Sequence, residues 1–290
     1  MDNPEGVQRV WPRPSYVPPN QLVCPPTSKS PSSAPPPHPP AIAAGAARIE
    51  LNAAGSYPAG GLTPSLDDVA DLKDAEVPVR VMIRPRGPLA GLRDFLYSSD
   101  EIDEMVQSIE AFKASGAMRV ERGDGFVFGA LTKTEMWGPG RIVLQVETVQ
   151  RLVAASRPYK TVFHRAFDVI VGDAANDGTQ GGAAEWENAL ASLIHMGVDG
   201  ILTSGGPGNA AQNVATLKEV MAKASDNTEI IVGGGVRSGN VGELCSKLDM
   251  GRGGRGGGDG KESWIHSSCL TGRNDEIDVA EVQKILGEIK

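Results

Sequence analysis

From residue 41 onward, short runs rich in β-branched residues alternate with stretches whose apolar positions recur every three or four residues. The first pattern predicts strands and the second amphipathic helices. Strands are expected at residues 47–51, 77–84, 125–131, 160–167, 200–204, 229–233 and 263–268, and helices at 99–116, 184–196, 209–222 and 279–289. In the helix at 99–116 the residues Ile102, Met105, Val106, Ile109 and Phe112 share one face. Trp186, Leu190, Leu193 and Ile194 do the same in the helix at 184–196. Strands alternating with helices build a parallel sheet from βα units. The 290 residues suit an α/β fold of the TIM-type (β/α) barrel.

Seven strands are one short of a closed barrel. The missing strand should precede residues 41–46, which look like the end of a first helix, yet only a proline tract lies upstream. Residues 1–40 hold 13 of the 21 prolines. Proline fixes φ and removes a backbone donor, so this arm is expected to be disordered with polyproline II character. The expected domain is therefore residues 41–290. Its first strand is either absent, leaving an open seam, or replaced by residues 21–24. Three loops look inserted, at 119–124, 172–182 and 251–260.

A hydrophobic share of 40% and a charged share of 22% are ordinary for a globular protein. The net charge of −8 with no basic stripe argues against nucleic acid and anionic membranes, and GRGGRGGGDG reads as a flexible loop. No apolar run reaches the length of a membrane span, and the start of the chain lacks the apolar core of a secretory signal. Cys24, Cys245 and Cys269 are too few and too scattered for a disulfide framework. A cytoplasmic setting is expected, with the nucleus left open.

Function in such barrels gathers where the strands end. Alternation along residues 47–51 turns Ile49 and Leu51 toward helices and Arg48 and Glu50 inward. Along residues 77–84 it turns Arg80, Met82 and Arg84 inward, and Arg86 follows in the turn R-P-R-G. The segment F-H-R-A-F-D brings His164, Arg165 and Asp168 to the rim, where one of the adjacent His164 and Arg165 should enter the cup. Thr203, Ser204, Gly233, Gly234, Gly235, His266 and Ser267 end the later strands. As an enzyme the chain would use Glu50, His164 and Asp168 for proton transfer, with the arginines and glycines holding an anion. The plain alternatives are an Arg48–Glu50 or Arg84–Glu50 ion pair and hydrogen-bonded structural histidines.

The stretches R-I-E-L (48–51), V-M-I-R-P-R-G (81–87), D-F-L-Y-S (94–98), F-V-F-G-A-L-T (126–132), F-H-R-A-F-D (163–168) and I-H-S-S (265–268) resemble, in order and spacing, the CutC family. The resemblance covers residues 41 to about 270. It implies a (β/α) barrel, a link to copper homeostasis and copper binding, and a pocket signature of Glu50, Arg84, Arg86, His164, Arg165 and Asp168. A homodimer is a further expectation from the family. The chain departs from the pattern where some members carry cysteine after R-I-E-L; Asn52 stands there instead. Cu(I) favours soft sulfur ligands, so His164, His266 and carboxylates would remain as donors, better matched to Cu(II) or Zn(II).

Overall fold

The computed structural model describes residues 22–24, 40–135, 140–175, 182–224, 226, 228–250, 263–272 and 276–289. The expected disorder of residues 1–40 lies outside them, apart from a short strand and the residue that opens the first helix. So do the loop expected at 251–260 and residues 176–181 of the loop expected at 172–182, whose ends belong to helices.

The strands are β1 (Leu22–Cys24), β2 (Arg48–Leu51), β3 (Val79–Met82), β4 (Gly125–Phe128), β5 (Leu131–Thr134), β6 (Arg141–Leu144), β7 (Lys160–Phe163), β8 (Gly200–Thr203), β9 (Glu229–Val232) and β10 (Ser263–His266). The sheet runs β1-β10-β9-β8-β7-β4-β3-β2 and closes on itself, every neighbour parallel. β1 fills the slot left open by the seven-strand count. Val23 pairs with His266 on one side and with Arg48 on the other. The barrel therefore starts inside the proline-rich tract, with no seam among its eight strands.

The helices are α1 (Pro40–Ala43), α2 (Leu66–Ala70), α3 (Ser99–Ala114), α4 (Val146–Ser156), α5 (Ala166–Ala175), α6 (Gly182–His195), α7 (Val214–Lys223), α8 (Ser238–Lys247) and α9 (Val279–Glu288). The apolar alternation divides the core as expected. Leu51, Val79, Val81, Ile83, Phe126 and Phe128 pack against helices, whereas Met82, Val127, Val162, Leu202, Ile231 and Trp264 fill the barrel interior. Buried contact on both faces is why the strand sequences carry so few charges.

Two expectations need correction. The strand expected at 125–131 ends at Phe128, and Leu131 opens an antiparallel hairpin of β5 and β6. The strand expected at 160–167 ends at Phe163, because the chain turns into α5: Phe167 N–H donates to His164 O at 3.1 Å and Asp168 N–H to Arg165 O at 3.0 Å. Asp168 thus sits in the first turn of a helix, where a carboxylate is favoured by the exposed N–H groups.

Candidate functional site

The strands deliver their C-terminal residues to one cavity of about 260 Å³. Its wall includes Glu50, Asn52, Arg84, His164, Arg165, Gly234, Gly235, Arg237, His266 and Ser267, above a floor containing Met82 and Leu202. β2 and β10, the two strands that flank β1, supply Glu50 and His266. Glu50 is buried; it receives the Asn52 amide at 3.4 Å and lies 3.7 Å from His266 Nε2. Burial holds the His266 imidazole below its ordinary pKa; the Glu50 charge opposes that, and Arg165 and Arg237 reinforce it.

His164 and Arg165 both line the cup, although adjacent strand residues should point opposite ways. The strand has already ended, so alternation no longer applies. His164 is 4% exposed. Its Nδ1 accepts the Ala166 backbone N–H at 3.1 Å, and Nε2 is buried with no hydrogen-bond partner among the described residues. Burial, with the charges of Arg84 and Arg165, pushes the ring down to about 3, so it is neutral at ordinary pH.

The arginines divide by their partners. Arg84 donates to Ala59 O at 2.6 Å, Gly61 O at 3.0 Å and Asp94 at 2.8 Å, so its carboxylate is Asp94 and not Glu50. Gly60, at φ +85°, permits this approach: a Cβ there would stand 2.7 Å from Arg84 Nη1. Arg86 does not line the cavity. It pairs with Glu101 in the capping box of α3 and donates to Leu96 O at 2.7 Å. Arg165 reaches the cavity while held to Asp168 at 2.7 Å and Ser204 at 2.9 Å. Arg237 has only neutral partners among the described residues: Val236 O at 2.7 Å, Ser267 at 3.3 Å, Ser268 at 3.1 Å and Leu270 O at 3.5 Å.

Asp168, Thr203, Ser204 and Gly233 also stand outside the cavity wall, contrary to expectation. Asp168 is a buried acceptor hub. It takes the Thr203 hydroxyl at 2.5 Å, the Ser204 N–H at 3.0 Å and hydroxyl at 2.8 Å, and the Gly206 N–H at 3.3 Å. Its oxygens fasten α5 to the end of β8 and orient Arg165, a positioning task. Sequence reasoning missed Asn52, Tyr57 and Arg237 as wall residues. For Arg237 the signal was present: it directly follows the G-G-G-V turn after the strand at 229–233.

The CutC family model matches residues 37–251. The chain belongs to the CutC family. It is 35% identical over 212 residues to a family protein CutC of Bacteroides thetaiotaomicron, covering 72% of each chain. It is 34% identical over 206 residues to a Caenorhabditis elegans protein named copper homeostasis protein cutC homolog, covering 70% of this chain and 69% of that one. Its fold matches the crystal structure of the copper homeostasis protein CutC from Streptococcus agalactiae with a TM-score of 0.61 at 21% identity, over 87% of this chain and all of that one. Of the CutC signature residues expected at the pocket, Glu50, Arg84, His164 and Arg165 share the cavity; Arg86 and Asp168 brace the loops beside it.

Proposed function

We propose that this CutC chain binds a small metabolite carrying a carboxylate or phosphate and performs acid/base chemistry on it in the barrel mouth. One observation carries the reading: Arg237, a cation with only neutral partners among the described residues, shares a cavity with Glu50 and two neutral histidines. Arg84 and Arg165 already have carboxylate partners, so Arg237 supplies the charge for an incoming anion. Gly234 and Gly235, at φ +91° and +73°, bring backbone close to the same space. A cavity of about 260 Å³ limits the ligand to metabolite size. Glu50 is the proton acceptor, steadied by Asn52 and His266. A thermal-shift screen of phosphorylated and carboxylated metabolites tests this. The reading expects at least one anion to stabilise the wild type and to lose that effect in Arg237→Met; a screen in which no anion stabilises the protein overturns it.

Copper binding is the second reading, supported by the names that relatives carry. The described residues fit copper poorly. Among them no three His, Cys, Asp or Glu side chains gather as a metal site. Cys245 lies buried on α8 with its thiol pushed up to about 11 by desolvation, and thiolate is the form that binds Cu(I). A role in copper homeostasis would then run through the anionic ligand, with copper itself bound elsewhere. Anaerobic titration with Cu(I) separates the readings: stoichiometric uptake favours copper binding, and weak uptake without a fixed stoichiometry counts against it.

A further inference from the structure

Resting on the small-anion reading of the cavity, we infer that His164 meets the ligand as a fixed Nε2–H donor, addressing an oxygen acceptor, and is not a metal ligand. The ring has one orientation available. Phe95 lies against it with centroids 4.7 Å apart, and Phe163 stands 6.1 Å away. On a third side sits Gly129, where an added Cβ would come within 2.5 Å of the His164 Cε1 and 2.6 Å of Nδ1. The glycine of F-V-F-G is therefore the socket for this imidazole.

The tautomer follows from the Ala166 contact. A backbone N–H can only donate, so Nδ1, 3.1 Å away, must present a lone pair. A neutral imidazole with a bare Nδ1 carries its proton on Nε2. The neutral state is secured by burial and by Arg84 and Arg165, which hold the pKa at about 3. Nε2 is buried in the cavity wall without a protein acceptor among the described residues. A buried donor left open bears the cost of its lost hydration, so the position calls for an oxygen acceptor, which the ligand supplies in the bound state and water in the free one. The oxygens that fit are those of a carbonyl, carboxylate or phosphoryl group. A metal at Nε2 would require the proton to move to Nδ1, where it would face the Ala166 N–H head-on. That conflict sets His164 apart from ordinary metal-binding histidines, whose second nitrogen donates to an acceptor.

The chain has 4 histidines, so histidine-selective 15N labelling of the full chain gives few rings to assign. Long-range 1H–15N correlations should show His164 as the Nε2–H tautomer from pH 5 to 8, the range in which an exposed histidine titrates. An Nδ1–H tautomer, a ring that protonates near its ordinary pKa, or loss of the Nε2 proton on adding stoichiometric Cu(I) overturns the inference. Inorganic phosphate is the ligand probe. His164→Gln keeps an N–H near the Nε2 position and should hold phosphate affinity, whereas His164→Met should weaken it by about tenfold. Equal weakening in both variants counts against the donor role. A chain with the Nε2–H tautomer that binds neither phosphate nor any metabolite of the screen keeps the tautomer and loses the small-anion reading. A chain that binds phosphate through an Nδ1–H ring keeps the reading and loses the inference.

Discussion

The two ends of the barrel interior use the same residue types to opposite effect. At the bottom, Arg48 places both terminal nitrogens on Glu229, at 2.7 and 3.0 Å, and lies 3.5 Å over the Trp264 ring. Nearby, Asp124 is fully buried and accepts the Val79 and Arg119 N–H groups at 2.9 and 2.8 Å and the Arg122 guanidinium at 2.6 Å. At the mouth, Arg237 finds only carbonyls and hydroxyls, and His164 Nε2 finds no partner among the described residues. Arg48, Asp124 and His164 are buried and Arg237 is half-buried; what differs is that the charges at the bottom are already paired. A charge that already has its counter-ion holds strands together, and one without a counter-ion among the described residues is open to a ligand.

That contrast can be broken by substitution. Arg48→Met leaves the mostly buried Glu229 carboxylate without its cation, and about 3 kcal/mol of stability should disappear, read as a lower urea midpoint. Pairing it with Glu229→Leu should restore most of the loss. At the mouth, Arg237→Met should leave the urea midpoint nearly unchanged while weakening anion binding by roughly tenfold to a hundredfold, about 1.5–3 kcal/mol. Swapped outcomes would mean that the two ends have been assigned the wrong way round.

Acid gives a further handle. The folded chain keeps His164 near 3 against an ordinary 6.5, and His266 is lowered as well. Below pH 6.5 the unfolded chain takes up protons that the folded chain refuses, so stability is full above that pH and falls toward pH 3. Each such ring adds a slope of up to about 1.4 kcal/mol per pH unit. His164→Gln should flatten the curve between pH 6.5 and 5, above the range where carboxylates titrate. The smallest effect is expected from Glu50→Gln, which removes a buried charge that has no Lys or Arg ion pair among the described residues. Its urea midpoint should stay within about 0.5 kcal/mol of the wild type or rise, while any ligand turnover is lost.

The alternation of apolar positions carried the barrel, because period 2 in short runs and period 3.6 between them leave few other folds. β1 was hard to see since Leu22, Val23 and Cys24 are too few to show a period and lie among prolines. The β5–β6 hairpin was hidden because Leu131 continues the apolar run of β4. Rim residues were legible as types and not as roles. In R-P-R-G both arginines look alike; Asp94 and Glu101, ten and fifteen residues downstream, decide what each one holds. Asp168 looked catalytic as a carboxylate expected at the rim; in the fold it lies in the first turn of α5, where Thr203, Ser204 and Gly206 donate to it and make it structural. Arg237 was legible by its place directly after the G-G-G-V turn, but that its partners among the described residues are all neutral is visible only in the fold.

The most direct measurement is a calorimetric titration of one stabilising anion into the wild type, Arg48→Met and Arg237→Met below their unfolding temperatures. The account expects the wild type and Arg48→Met to bind with matching affinity and Arg237→Met to lose at least about tenfold. Full affinity in Arg237→Met would contradict it, because the mouth would then owe its anion binding to other groups.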